Sequence, residues 1–411
     1  MRIKAFRALR PRAELAARVA AVPYDVVSRT EAAALAEGNP DSFLHVGRSD
    51  IDLPADTDPY DPRIYAAAKT ALDRLIAGGT LVRDAEPALF LYRQIMDGRT
   101  QTGVVACVHV DDYECDIIRK HEKTRKDKED DRTRHMLTLN AHAEPVFLTY
   151  RSRPELDRLS GAAAASPALY DFTAADGVRH MVWRLSDVKP WIDAFARVPL
   201  AYVADGHHRS ASAWRAGRER RAGNPRHSGD EEYNWFLAVL FPSSELRILP
   251  YNRLVKDLNG LSPAGFRARL AEVGRLEATT DPTPPAPGSF CFFFDGRWER
   301  LTLDPRSLDR GDPIGSLDVS LLHDRILGPI LGVGDPRTDK RLDFVGGIRG
   351  PDELERRVRS GEMALAISIY PTTLEQLLAV ADAGEIMPPK STWFEPKLRS
   401  GLFVHELDPV T

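Results

Sequence analysis

Residues 205–210 are the part of the sequence whose residue types and spacing best fit the binding of an anion. An apolar segment, residues 199–204, leads into Asp-Gly-His-His-Arg-Ser, and small residues typical of a helix follow at once. Gly206 lets the backbone approach a ligand closely, and the first turn of a new helix offers amide groups and the positive end of its dipole to an anion. The sequence therefore predicts a phosphate-binding turn, called the 205–210 turn below, made of Asp205, Gly206, His207, His208, Arg209 and Ser210.

The side chains of the 205–210 turn fit the same chemistry. Arg209 carries a planar guanidinium that matches the geometry of phosphate. His207 and His208 supply hydrogen-bond donors, or an acid–base group, near neutral pH. The alternative is a plain strand–turn–helix corner whose polar side chains bond nearby carbonyls. Five consecutive residues that are polar or glycine favour the ligand site over that alternative.

The charged segment 119–134 is a second candidate region, with eight basic and five acidic residues and almost no apolar one. A helix packed on a core needs an apolar stripe. We therefore interpret the segment either as a solvated helix held by charge pairs or as a helix whose polar face closes over a phosphorylated ligand. The interleaved acids and the lack of aromatic residues argue against a nucleic-acid patch. The polar face predicted by the spacing consists of His121, Thr124, Lys128, Arg132 and His135.

Residues 384–392 form a third candidate, because they superficially resemble a Walker A loop. Pro389 stands where that loop needs its second glycine, and two prolines remove amide donors, so the segment is not a P-loop. One interpretation is an ordinary connection from a helix to a strand. The other is a rigid turn that presents an anion with Lys390, Ser391 and Thr392, followed closely by Lys397.

Acid–base and metal chemistry leave few further candidates. Asp25 follows an apolar-Pro-Tyr segment and is a candidate general base, with a capping or turn aspartate as the alternative. The sequence has no HExxH motif and no spacing typical of an EF-hand or a zinc site, so no metal ligand is predicted. We expect Mg²⁺ only together with a phosphate donor.

Length and composition favour a globular protein with more than one domain. The 411 residues are too many for one small core, and 43% hydrophobic with 28% charged residues is ordinary for a soluble chain. The order of helix and strand patterns predicts a mixed α and β fold, with one domain at 1–240 and a C-terminal α/β domain at 241–411. The net charge of -4 argues against nucleic acid as the main partner, and the oligomeric state is not predicted.

The sequence also predicts a cytoplasmic location. The N-terminus lacks an apolar core long enough for a signal peptide, and no run approaches the ~20 apolar residues that span a bilayer. The three cysteines form no paired motif that would indicate a disulfide framework. We therefore expect no membrane partner.

Four motifs in chain order carry a resemblance to a known family: residues 23–26, residues 119–132, the 205–210 turn and residues 387–397. Together they identify the chain as a member of domain-of-unknown-function family 1015 over nearly its whole length. The Asp-Gly-His-His-Arg sequence also resembles the phosphate-binding turn of the ParB/sulfiredoxin superfamily, and it is closest to that of the free-serine kinases. His207 stands where sulfiredoxins have their catalytic cysteine, which excludes sulfiredoxin chemistry.

The resemblance implies a ParB/sulfiredoxin-like core with a long insertion, and a phosphotransferase acting on a small hydroxy metabolite such as free serine. ATP, ADP or pyrophosphate would be the donor, bound at the 205–210 turn. Asp25 would take the proton of the acceptor hydroxyl, and His208 would be a second catalytic residue. The residues expected to bind the phosphorylated substrate are Arg119, His121, Glu122, Thr124, Arg132, Lys390, Ser391, Thr392 and Lys397.

Two other functions stay open at this point. A phosphoserine-type phosphatase would need the same phosphate clamp and carboxylate, so the sequence does not separate it from a kinase. A ParB-like nucleotide-sensing or DNA-binding protein without metabolic turnover is the third hypothesis. The acidic net charge and the lack of a clear helix-turn-helix argue against it.

Overall fold

The computed structural model describes residues 1–309 and 311–408. The chain divides into two compact units. The first contains Met1–Leu246 together with the C-terminal segment from Pro396, and the second contains Arg247–Glu395. Both combine helices with sheets, so the predicted mixed α and β class is confirmed.

The first unit is built on a large sheet. The strands of this unit, not all of which belong to the large sheet, are β1 (Ile3–Lys4), β2 (Leu9–Pro11), β3 (Leu81–Arg83), β4 (Leu89–Met96), β5 (Arg99–His109), β6 (Ile118–Arg119), β7 (Ala141–His142), β8 (Val146–Tyr150), β9 (Tyr170–Thr173), β10 (Arg179–Leu185), β11 (Ala201–Asp205) and β12 (Trp235–Pro242). In the part of the chain that the structure describes, nine strands form one sheet in the order β6-β11-β8-β12-β5-β4-β10-β9, with β1 paired to β5.

The strand that leads to the 205–210 turn lies near one edge of this sheet. β11 pairs parallel with β6 and antiparallel with β8. Its register with β8 shifts between Val203 and Asp205. Such irregularities bend a strand and re-aim the side chains that follow. The shift thus falls directly before the turn that the sequence singled out.

The helices of the first unit are α1 (Ala16–Val19), α2 (Arg29–Ala36), α3 (Leu44–Gly47), α4 (Pro62–Ala77), α5 (Val110–Glu114), α6 (Lys126–Leu139), α7 (Pro154–Ala163), α8 (Lys189–Ala196) and α9 (His207–Gly223). Local sequence signals explain where α2 begins and which face α4 buries. Ser28 and Glu31 form the capping box that starts α2. In α4 the apolar residues spaced along one face, such as Ile64 and Leu72, are buried.

The second unit has its own sheet and core. Its strands are β13 (Arg247–Leu249), β14 (Tyr251–Val255), β15 (Arg275–Thr279), β16 (Ser289–Phe294), β17 (Arg297–Thr302), β18 (Leu342–Gly346), β19 (Leu365–Ile369) and β20 (Trp393–Glu395), and its helices are α10 (Pro263–Val273), α11 (Asp318–Leu322), α12 (Gly350–Arg359) and α13 (Leu374–Asp382). Within the described residues, six strands pair in the order β15-β17-β16-β19-β14-β18. The Asp295-Gly296 turn between β16 and β17 has positive φ at both positions, as expected for a tight hairpin.

The unit boundaries differ from the predicted domains 1–240 and 241–411. The first unit continues to Leu246, and the last segment of the chain returns to it. There β21 (His405–Glu406) pairs with β7, and Val404 bridges Leu9. Leu402, Phe403 and Val404 of this segment are buried, so it contributes to the first core. Residues 310 and 409–411 of the predicted C-terminal domain lie outside the described residues.

None of the helices in the described residues has the length and apolar character needed to cross a bilayer.

Candidate functional site

The 205–210 turn has the strand–turn–helix geometry that binds anions. β11 ends at Asp205, and Gly206 is the N-cap of α9 with φ 91° and ψ 36°. The amide and hydroxyl of Ser210 both donate to the carbonyl of Gly206, at 2.9 and 3.1 Å. Gly206 has no side chain that could accept from the amides of the first turn of α9. That helix end is therefore suited to an external anion.

Glycine is required at position 206 for two reasons. A positive φ of 91° is strained for residues with a Cβ. A Cβ at this position would also lie 2.9 Å from Nε of Arg209. The sequence of the turn and the placement of Arg209 therefore depend on each other.

Arg209 is turned into the protein, with 4% of its surface exposed. Its Nη1 donates to the carbonyl of Pro145, and its Nη2 donates to Oδ2 of Asp205 at 2.9 Å. Nε has no partner among the described residues. Arg209 thus holds the turn against the start of β8, and its Nε–H makes no hydrogen bond to the described residues.

Carboxylates surround Arg209. Oδ2 of Asp25 lies 3.9 Å from Nη2 of Arg209, and Oδ1 of Asp205 lies 3.6 Å from Nζ of Lys397. Burial opposes the charge of Arg209, but Asp25, Asp205 and Glu144 outweigh it and raise its pKa. Burial likewise opposes ionisation of Asp205, but Lys397 and Arg209 lower its pKa to about 2. Arg209 and Asp205 therefore keep their opposite charges at neutral pH.

Two buried histidines meet beside these charged groups. The rings of His121 and His207 lie edge to face with centroids 4.5 Å apart. Nε2 of His207 and both ring nitrogens of His121 lack hydrogen-bond partners among the described residues. Burial lowers the pKa of His207 to about 4 and that of His121 well below its ordinary value. Oε2 of Glu122 lies 3.7 Å from Nδ1 of His207.

His208 is more accessible than His207. Its Nε2 accepts from the amide of Arg125 at 3.1 Å. Burial lowers its pKa, against the opposing charge of Glu122. A neutral ring whose Nε2 accepts must carry its proton on Nδ1. His208 can therefore donate a hydrogen bond from Nδ1.

Arg132 connects the N-terminal motif to α6. Its Nε donates to Asp131 at 2.9 Å, and its guanidinium lies 4.2 Å from the centre of the Tyr24 ring. The amide of Tyr24 donates to Oε1 of Glu144 at 3.4 Å. These contacts hold the residue before Asp25 close to the charged groups around Arg209. Segments far apart in the chain thus converge around Arg209.

The predicted charged helix over 119–134 is wrong in its first part, because α6 begins only at Lys126. Arg119 lies in β6, where it is paired in register with Tyr202 of β11. His121 lies in the connection between β6 and α6 and is buried. The segment before α6 therefore runs along the sheet edge instead of forming a helical turn.

The predicted polar face is also wrong. Arg132 and His135 lie on the buried side of α6, where Nε2 of His135 is 2.9 Å from the carbonyl of Val46. Thr124 instead donates to Glu129, five residues further on. The reason is that α6 packs on α4 and α9 through polar side chains that bond internally. An apolar stripe was the wrong criterion for burial here.

The C-terminal motif is divided between the units. Lys397 belongs to the first unit and reaches Asp205, whereas Lys390, Ser391 and Thr392 belong to the second. In the second unit the Ser391 hydroxyl donates to Pro388 at 2.6 Å, and the Lys390 ammonium lies 5.3 Å from the centre of a tyrosine ring. Of these four residues, the structure places only Lys397 in the unit that holds the 205–210 turn.

Glu144 is a site residue that the sequence interpretation missed. Its side chain is buried and receives the amide of Tyr24 and the hydroxyl of Ser400. Burial raises its pKa, against the opposing charges of Arg132 and Arg209. The available signal was a carboxylate directly before Pro145 and the buried strand β8. Within residues 1–309 and 311–408, no group of three His, Cys, Asp or Glu side chains is arranged to hold a metal ion.

The chain belongs to the family of proteins of unknown function DUF1015, whose family model matches residues 3–320. This confirms the family that the motifs indicated. The match ends before residues 387–397, so it covers less of the chain than the motifs implied. No curated protein matches the chain.

Several solved structures share a remote likeness. A free serine kinase in complex with AMP is 13% identical, with a TM-score of 0.37, covering 74% of this chain and 91% of its own. A variant of free serine kinase in complex with ADP is 12% identical, with a TM-score of 0.35 and coverages of 74% and 92%. A conserved hypothetical protein from Pyrococcus furiosus has 12% identity, a TM-score of 0.35 and coverages of 74% and 95%. Likeness at this level is too low to establish a function.

Proposed function

We propose that the protein is a phosphotransferase with a ParB/sulfiredoxin-like first unit, which moves a phosphoryl group from ATP, ADP or pyrophosphate to the hydroxyl of a small metabolite. Free serine is the leading acceptor. The observation that carries this proposal is the 3.9 Å approach of Asp25 to Arg209. It brings an exposed carboxylate to the end of a helix suited to a phosphate.

The first turn of α9 is the proposed phosphate site. Its amides and dipole favour an anion, and Gly206 leaves them uncovered. Within residues 1–309 and 311–408, Nε of Arg209 has no hydrogen-bond partner, and we propose it as the donor of that side chain to a phosphate. Mg²⁺ would arrive with the donor, because it is held mainly by phosphate oxygens and water, with one or two carboxylates.

Asp25 is the proposed general base. Its side chain is 38% exposed, so an acceptor can reach it. In the transfer, the acceptor oxygen forms the new bond to phosphorus while the bond to the donor oxygen breaks, and the hydroxyl proton passes to Asp25. His208 is proposed to donate from Nδ1 to the donor phosphate or to the leaving oxygen.

The acceptor would be recognised by groups around the turn. Glu122, next to His207, suits the ammonium group of an amino acid. Lys397 and Arg119 supply positive charge for a phosphorylated product. Arg132, His121 and Thr124 are proposed to act mainly by positioning, because the first two are buried and the third is bonded to Glu129. Lys390, Ser391 and Thr392 remain a proposed anion-binding turn of the second unit.

Binding is tested with the Gly206→Ala variant. We expect ATP, ADP or pyrophosphate with Mg²⁺ to raise the melting temperature of the wild type, because a ligand stabilises the state that binds it. Gly206→Ala should lose this shift, since the new Cβ meets Arg209 at the phosphate site. Gly177→Ala is the matched control. Gly177 also has a positive φ, of 82°, but apart from its chain neighbours no atom of the described residues would lie within 4 Å of an added Cβ.

Turnover is tested with Asp25→Asn, measured as phosphoserine formation from serine and each donor. We expect a loss of about 100-fold or more, while the thermal shift with the donor persists. Asp193→Asn, which removes an exposed carboxylate paired with Lys189, should keep wild-type activity. Phosphate release from phosphoserine without an acceptor nucleotide would favour the phosphatase. No transfer from any donor to serine or a similar hydroxy compound would refute the kinase.

A further inference from the structure

The second unit contains a cavity of about 360 Å³. It is lined by Arg253 of β14, by Ser320 of α11, and by His323 and Leu327 of the helical turn that continues α11. Pro388 and Pro389 line it as well. A volume of this size lies within the range of small-molecule sites.

Arg253 is the unusual feature of this cavity. Its side chain is buried, with only 4% of the residue exposed, and it donates to the carbonyls of Tyr251 and Lys390. No carboxylate within residues 1–309 and 311–408 forms an ion pair with it. Burial lowers its pKa to about 9. A buried guanidinium without an anion is costly to a folded protein.

Another arginine of this unit shows the ordinary solution. The side chain of Arg357 is 14% exposed, and it pairs with Asp343 at 2.7 Å and with Glu362 at 2.5 Å. Among the described residues, the partners of Arg253 are two carbonyl acceptors and the face of the Phe344 ring, 4.6 Å away. The lack of a paired carboxylate therefore distinguishes Arg253 from Arg357.

Two further polar groups of the lining lack partners. Oγ of Ser320 and Nδ1 of His323 are buried and have no hydrogen bond within the described residues. Orphaned buried polar atoms are rare in folded proteins. Three residues that lack either a counter-charge or a hydrogen-bond partner within the described residues thus line one cavity. An oxyanion can accept hydrogen bonds from all three.

We propose that this cavity binds a small organic monocarboxylate with an apolar body. The planar fork of Arg253 matches a carboxylate. Val319, Leu327 and Leu342 provide apolar surface for the rest of the ligand. Asp312 and Asp324 also line the cavity and disfavour a doubly charged phosphate. The site lies in the second unit, and the inference does not depend on the proposed phosphoryl transfer.

The experiment is calorimetric titration of the full chain with phenylacetate, the neutral phenylacetamide and phenyl phosphate. Wild type should bind phenylacetate saturably and the amide at least about tenfold more weakly, which is the usual worth of a charge-assisted hydrogen bond. Arg253→Gln should weaken phenylacetate binding by about tenfold or more. Arg357→Gln, which removes an arginine outside the cavity lining, should keep wild-type affinity.

Ser320→Ala gives a second readout should Arg253→Gln fail to fold, because it removes only an unpartnered hydroxyl. It should weaken phenylacetate binding while leaving the melting temperature of the free protein unchanged or higher. Unchanged affinity in this variant, or no saturable binding of phenylacetate to wild type, overturns the proposal. Tighter binding of phenyl phosphate than of phenylacetate overturns the assignment to a monocarboxylate.

Discussion

At the scale of single residues, the 205–210 turn is held by buried charges that depend on one another. Arg209 donates hydrogen bonds to the carbonyl of Pro145 and to the carboxylate of Asp205, and Asp205 is also paired with Lys397. Removing one member of such a buried network leaves another charge uncompensated, which costs more than an exposed pair does. Substitutions of Arg209 would therefore change folding and binding together. Gly206 and Asp25 allow cleaner tests of function.

His207 predicts a pH dependence of stability. Its pKa in the folded protein is about 4, below the unfolded value of 6.5. As the pH falls from 6.5 towards 4, the unfolded chain takes up a proton that the folded chain refuses, so stability is lost in this window. The difference of about 2.5 pKa units corresponds to an order of 3 kcal/mol.

The measurement is chemical denaturation of wild type and His207→Gln at several pH values between 4 and 7. The glutamine variant should lose less stability on acidification, because its side chain does not titrate. The same fall with pH in both proteins would show that His207 is not held neutral in the fold.

At the scale of elements, the spacing of apolar residues is the sequence signal that best indicates helices, strands and their buried faces. The buried residues of α4 recur at helical spacing, and β8 is a short, fully buried run of mostly apolar residues. α6 was misread because its buried side carries Asp131, Arg132 and His135. Polar residues can be buried when they bond one another, and no periodic pattern reveals such partners in advance.

Arg132 tests this account of α6. We expect Arg132→Ala to destabilise the protein by about 3 kcal/mol, because it leaves the buried Asp131 without the cation paired with it. Arg134→Ala is the matched control two residues along the same helix. Arg134 is exposed and lies over the Tyr65 ring, 5.3 Å from its centre, so its loss should cost about 1 kcal/mol or less.

Denaturant unfolding of both variants, followed by circular dichroism, gives the comparison. If both variants lost stability equally, Arg132 would behave as a solvated residue of a charged helix. That would restore the interpretation of α6 drawn from the sequence.

At the scale of the whole molecule, chain order conceals which segments share a unit. The motif at 387–397 is continuous in sequence, yet Glu395 ends the second unit and Pro396 begins the return to the first. The groups around Arg209 come from Asp25, Glu144, Asp205 and Lys397, which are separated by up to hundreds of residues. A single sequence predicts the chemistry of each motif, but the distances between motifs arise only from packing.

Phe403 tests the return of the C-terminal segment. It is 1% exposed, and its ring centre lies 5.0 Å from that of Phe90 in β4. Phe403→Ala should cost about 3–5 kcal/mol, because it leaves a cavity in the first core. Hydrogen exchange should quicken in β4 and β5, since local opening follows local stability. The same substitution at the partly exposed Phe172 of β9 should cost clearly less. If Phe403→Ala left exchange in β4 unchanged, the last residues would be an appendage and not part of the first unit.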